Sequence, residues 1–211
     1  LLGSTGANIT MSGGDYSFEQ ALLTAELMAA DPRKNVLVIG ADEAHQPLSP
    51  LFDSSINQDT PLADGGGSFC LSRKREGAAC LVRIPFYRQW TNGKDIDALI
   101  QSLAEGEAPA GEYALVLAGI PAAVRETGED QLASFLQKSG CNAPVLRYRE
   151  FTGEFSSASA VAAAMAASIM VAGRVPGNLA GSRDISLTDG PGAILVLGLG
   201  SYLTAMEFQR P

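Results

Sequence analysis

Apolar positions near the start of the chain change period within a few residues. Over residues 17–30, Phe18, Ala21, Leu22, Ala25, Met28 and Ala29 recur at spacings of three and four, which predicts an amphipathic helix capped by Asp15 or Ser17. Pro32 ends that region. Residues 35–41 follow as an unbroken apolar run, the pattern of a strand buried on both faces. Residues 42–63 are polar and proline-rich and read as a long loop over a functional surface or a neighbouring subunit. Residues 68–72 and 78–84 read as a hairpin joined through a charged turn that contains Gly77. From Pro85 the pattern recurs, with helices at 95–104 and 130–138, strands at 113–118 and around Val145, and closing strands at 193–197 and 202–208. Strands alternating with helices predict a mainly parallel sheet. Residues 155–173 carry no charge, and a helix without a polar face is expected to be covered on all sides, as in a layer between two sheets.

Composition narrows this picture. With 211 residues, 46% hydrophobic and 18% charged, the chain can bury one α/β core, read as a single unit with halves at 1–84 and 85–211. The 155–173 stretch is mostly Ala and Ser, which insert weakly into a bilayer, so it reads as a buried helix and not a membrane span. A net charge of −8 with scattered basic residues disfavours nucleic acid as a partner. Residues 1–8 lack the basic and apolar regions of a signal peptide, so the start reads as internal. Three widely spaced cysteines, Cys70, Cys80 and Cys141, form no Cys-x-x-Cys pair and suggest neither a disulfide framework nor a zinc site. A reducing cytoplasm is the expected compartment.

Candidate chemistry is sparse. Gly65, Gly66 and Gly67 are not followed by Gly-Lys-Ser/Thr, so they form no P-loop, and Gly198-x-Gly200 lacks the strand-to-helix context of a dinucleotide site. His45, the one histidine, follows a strand in the long loop and reads as a surface residue without a second ligand or partner carboxylate. Cys70 and Cys80 lie in apolar strand patterns typical of unreactive buried thiols, and Cys141 follows a helix. No metal or other cofactor is expected.

The order of elements and several motifs together resemble the β-ketoacyl synthases of the thiolase-like superfamily. Thr10-Met-Ser-Gly-Gly-Asp15 followed by Ser17-x-x-x-Ala-Leu-Leu-x-Ala25 is similar to the family's strand, nucleophile elbow and buried helix. Val36-Leu-Val-Ile-Gly-Ala-Asp-Glu43 resembles the next strand, Ala63-Asp-Gly-Gly-Gly-Ser-Phe69 the acidic, Gly-rich stretch, and Gly198-Leu-Gly-Ser201 the C-terminal Gly-Phe-Gly-Gly loop. The resemblance implies a layered α/β/α/β/α fold of two similar halves, the N-terminal one lacking its first elements.

The family's chemistry uses a cysteine thiolate at a helix N-terminus and two histidines that stabilise the enolate and the oxyanion. By this resemblance the nucleophile position falls on Asp15, the first histidine position on Ala118, and Lys-x-x-x-Gly-His becomes Arg149-x-x-x-Gly-Glu154. One histidine cannot fill two roles. An acylated Asp15 would be an anhydride, too unstable for a carrier, and the plain reading is that Asp15 and Glu154 cap the helices that follow them, with Arg149 pairing to Glu154. Met11, Phe18 and Leu199 are the expected pocket and gating residues. Ile9, Thr10, Met11, Ser12 and Gly13 stand for the strand that pairs across the family's two-fold axis.

The implied function is a non-catalytic, chain-length-factor-like subunit that pairs with an active ketosynthase in fatty-acid, polyketide or aryl-polyene biosynthesis, with acyl carrier protein docking mainly on the partner. The alternatives are a structural or regulatory homodimer without condensing activity and an atypical condensing acyltransferase.

Overall fold

The structure, a computed structural model, describes residues 6–43, 62–106, 112–181, 183–188 and 192–211. His45 and most of the expected 42–63 loop lie outside them. The elements are, in order, helix α1 (Ser17–Met28), strands β1 (Val36–Asp42), β2 (Gly65–Leu71) and β3 (Leu81–Gln89), helix α2 (Lys94–Ala104), strand β4 (Leu115–Gly119) and helix α3 (Arg125–Ser139). Strand β5 (Val145–Arg147), helices α4 (Arg149–Thr152) and α5 (Ala158–Ala172), strand β6 (Arg174–Val175), helix α6 (Gly177–Ala180) and strands β7 (Ile185–Ser186), β8 (Ala193–Gly198) and β9 (Tyr202–Gln209) follow.

The run over residues 35–41, expected to be buried on both faces, forms β1, which pairs only with β2 in a two-stranded sheet and keeps one face exposed, and the main sheet is built from later strands. Its five strands are ordered β3-β9-β8-β4-β5, and every residue of β4 and β8 is buried. Pairing is parallel between β4 and both β5 and β8, and antiparallel between β9 and both β8 and β3. The sheet is therefore mixed and not mainly parallel: β8 and β9 join through a tight Gly-rich turn, which permits only an antiparallel neighbour.

The expected hairpin is also corrected. β2 pairs in antiparallel register with β1, Val36 opposite Leu71 through Asp42 opposite Gly65, whereas β3 joins β9 in the five-stranded sheet. Residues 72–80 thus connect two sheets. Their length exceeds that of a two-residue hairpin loop, and β3 finds a longer apolar partner in β9. Pro85, where the second half was expected to begin, lies inside β3 at a register shift between Arg83 and Phe86, a place where a strand tolerates proline.

Helix α5 has the position its uncharged sequence predicts. It packs against β1 and β2 on one side and against β4, β8 and β9 on the other, with Ala160, Ala162, Ala163 and Ala166 fully buried. Small side chains let the two sheets approach. At Gly67 a Cβ would fall 2.5 Å from the Ala160 carbonyl oxygen, so β2 lies directly on the helix backbone only because this residue has none. One apolar cluster joins α1, α5 and both sheets, and a second fills the space between the main sheet and α2 and α3.

The layers run from α2 and α3 through the five-stranded sheet and the α1/α5 pair to the β1–β2 sheet. Leu37 and Ile39 on the outer face of β1 are 48% and 61% exposed, with no described element over them. Cys70 faces the same way and is exposed, contrary to the buried position expected of it; Cys80 is half-buried and Cys141 buried. Among the described residues no helix is long and apolar enough to cross a membrane. A polar cluster around the buried Glu207 fastens the far end of the main sheet. Arg83 donates to Glu207 at 2.6 Å and to the Ser102 and Leu103 carbonyls, and the Tyr113 hydroxyl donates to the other Glu207 oxygen at 2.5 Å.

Candidate functional site

The site is built where α1 begins and where β4 and β5 end. Residues 7–13 form no strand with any other described residue, and Ile9 is 53% exposed. The Gly13 amide donates to the Ser17 hydroxyl, which donates to the Gly14 carbonyl, and this knot sets a single 3-10 turn, Gly14–Tyr16, ahead of α1. Asp15 stands on that turn and faces the end of the main sheet. There the Tyr148 amide donates to the Ala118 carbonyl at 3.2 Å, continuing the β4–β5 register and aiming the next residue, Arg149, back toward α1.

Arg149 is 5% exposed and ties three segments together. Its Nη2 donates to Asp15 Oδ1 at 2.6 Å, and its Nη1 donates to Glu154 Oε2 at 2.9 Å and to the Phe155 carbonyl at 3.3 Å. Gly153, with φ of 81° and ψ of −178°, turns the chain sharply after α4 in a conformation open to glycine, and so returns Glu154 to the guanidinium. Burial opposes the charge on Arg149, but its neighbours Tyr148, Asp15 and Glu154 outweigh that and hold its pKa above the ordinary value. Its Nε and the Ser157 hydroxyl are buried without a hydrogen-bond partner.

Neither acid caps a helix. α1 begins at Ser17 and α5 at Ala158, both without a capping side chain, because Asp15 and Glu154 spend their oxygens on Arg149. Asp42 from the end of β1 instead accepts from the Ser156 amide ahead of α5. The pairing expected between Arg149 and Glu154 is present.

A pocket of about 250 Å³ opens beside the network. Ala118, Arg125, Glu129, Arg147, Arg149 and Glu154 line it, and Arg147 pairs with Glu129 through two bonds of 2.7 Å. Its walls carry the Arg147–Glu129 and Arg149–Glu154 ion pairs, and among the described residues no thiol or imidazole lines it. The expected gating residues are not brought together there. Phe18, 1% exposed, belongs to the cluster around α1 and α5, Leu199, fully buried, to the cluster on the other side of the main sheet, and Met11 is half-buried in neither. The loop that bears Leu199 is pinned by its own backbone: Leu199 N donates to the Gly119 carbonyl, and Gly200 exchanges hydrogen bonds with Gln131 in both directions.

Sequence reasoning missed Glu19, Gln131, and the Glu129–Arg147 pair. Glu19 is 1% exposed, and burial raises its pKa to about 7 against the opposing hydrogen bonds of its own backbone, Ser159 and Thr204 and the charge of Arg149. Its one signal is its place three residues before Leu22, on the flank of the apolar stripe. Among the described residues no group of three His, Cys, Asp or Glu side chains is arranged to hold a metal.

No protein-family model matches this sequence, and no curated protein matches it. Solved structures do. A type II polyketide ketosynthase in complex with its acyl-carrier protein matches with a TM-score of 0.69 and 13% identity over 96% of this chain and 59% of its own. A β-ketoacyl synthase from Burkholderia phymatum matches at 0.64 and 15%, over 95% of this chain and 61% of its own. The fold is that of the β-ketoacyl synthases. A ketosynthase from module 1 of the bacillaene synthase of Bacillus amyloliquefaciens gives 0.67 and 14%, over 100% of this chain and 47% of its own. The chain therefore spans less than two thirds of each of these ketosynthases.

Proposed function

We propose that the chain is a non-catalytic ketosynthase-like subunit of chain-length-factor type that pairs with an active β-ketoacyl synthase. One observation carries this reading. The residues that stand, by resemblance, at the nucleophile, lysine and second histidine positions are Asp15, Arg149 and Glu154, and they lie within 2.6 and 2.9 Å of one another's partner atoms in a closed ionic network. An aspartate held by a guanidinium is a poor nucleophile, and neither Arg149 nor Ala118 can deliver or accept a proton at neutral pH. Both carboxylates are committed to the one guanidinium, and none of the three residues offers a thiolate to hold an acyl group.

Pairing is supported by residues 9–13, of which Ile9, Thr10 and Ser12 are exposed and which form no strand with any other described residue. They stand for the strand that crosses the two-fold axis in the family, and the partner supplies the cysteine and both histidines. Acyl carrier protein docks mainly on that partner, because a surface of net charge −8 disfavours an acidic ligand. Free thiols at Cys70, Cys80 and Cys141 fit a reducing cytoplasm.

The test is co-expression with a ketosynthase encoded beside it, followed by sizing and a carrier-dependent condensation assay on each subunit and on the pair. Condensation by the pair and none by this chain alone is expected. Turnover by the isolated chain, or a stable homodimer that never associates with the ketosynthase, would overturn the proposal.

A further inference from the structure

Glu19 is a fully enclosed acid with no cation of its own. Its Oε2 accepts from the Ser159 hydroxyl of α5 at 2.9 Å and its Oε1 from the Thr204 hydroxyl of β9 at 3.3 Å. Among the described residues no Lys, Arg or His comes within 4.0 Å of it. Arg149, the cation whose field reaches it, is already shared between Asp15 and Glu154. Two hydroxyl donors do not repay the hydration that a carboxylate loses on burial, whereas a neutral carboxyl group is accommodated there with both hydroxyls retained.

We propose that Glu19 is a proton-binding switch in the core: as a neutral acid it fastens α1 to α5 and β9, and on releasing its proton it leaves an uncompensated charge that loosens α1 and the Asp15 turn at its head. This device is independent of whether the chain has a ketosynthase partner.

The charged and titratable groups that face Glu19 leave it the one that changes state near neutrality. Tyr16 comes from the turn ahead of α1, Tyr87 from β3, and Tyr148 and Arg149 from the corner between β5 and α4. The three tyrosines are held above their ordinary range, chiefly by burial, and stay neutral. Burial likewise raises Glu19 from 4.5 to about 7. Because the raised value belongs to the folded state, that state binds more protons than the unfolded chain between these limits. The stabilisation is complete below the unfolded value and is lost as pH rises through the folded one. A difference of that size corresponds to roughly 300-fold in the unfolding constant.

The experiment is urea unfolding of the full chain and of Glu19→Gln, from about pH 4.5 to about pH 8. Glutamine keeps the shape and the hydroxyl contacts without the charge. The wild type should lose about 150-fold in stability across the range relative to the variant, with the two converging toward the acid end. Parallel profiles would overturn the proposal. Infrared difference spectra of the wild type decide independently if the variant fails to fold: a protonated-carboxyl band that disappears with a midpoint near neutrality is expected, and its absence at the acid end overturns the switch.

Discussion

Replacing Arg149 by methionine removes the one cation shared by two carboxylates and keeps most of the apolar stem. The structure sets the size of the loss. Two charge-assisted bonds, of 2.6 Å to Asp15 and 2.9 Å to Glu154, disappear together with the bond to the Phe155 carbonyl. Breaking a buried ion pair from one side costs about 3–5 kcal/mol, most of it from stranding the surviving charge. The Glu154 side chain is only 12% exposed and is stranded in full, but that of Asp15 is 31% exposed and is partly rescued by water. The low end, about 3 kcal/mol, is therefore expected at neutral pH. Neutralising all three members together, as Asp15→Asn, Arg149→Met and Glu154→Gln, strands nothing and should return stability to within about 1 kcal/mol of the wild type. Urea unfolding followed by circular dichroism measures both variants. A single variant as stable as the wild type would refute the reasoning, and so would a triple variant as unstable as the single one, since the loss would then come from packing and not from charge.

Two further outcomes follow from close contacts. Gly67→Ala should lower stability by about 1–3 kcal/mol because its Cβ meets the Ala160 carbonyl, while Gly93→Ala, with open space around it, should stay within about 0.5 kcal/mol; equal thermal shifts for the two would contradict the packing of β2 on α5. Tyr113→Phe leaves one buried Glu207 oxygen without a donor and should cost about 1–3 kcal/mol, read as a lower urea midpoint at unchanged slope; an unmoved midpoint would show that the phenol does not hold Glu207.

The elements whose own residues determine their state were legible in the sequence. β4 and β8 are short, apolar and bounded by glycine, and a run of that kind has no good exposed conformation. Helix α5 announced its burial by lacking any polar face. Partners were harder to read, because pairing depends on residues distant along the chain: β2 and β3 look like neighbours until β9, more than a hundred residues away, competes for β3. The same applies to the site. Asp15, Ala118, Arg149 and Glu154 could be singled out from the motif resemblance, but that Arg149 reaches both acids depends on the β4–β5 register and the turn at Gly153. Glu19 escaped notice because period analysis sorts polar helical residues to the solvent side, and α1 is covered on more than one side by α5 and both sheets.

A helix made almost wholly of alanine, serine and a few larger apolar residues has a consequence for the order in which the chain is made. Helix α5 leaves the ribosome after β1 and β2, which cover one of its sides, and before β8 and β9, which cover the other. Through that interval it presents an uncharged, sticky surface that no sequence-local contact can hide, and its contacts on both sides are long-range, which slows folding. Synthesis of β8 and β9 is thus the step that covers the second side of α5, and these two strands close the folding reaction over the helix more than they decorate a finished core.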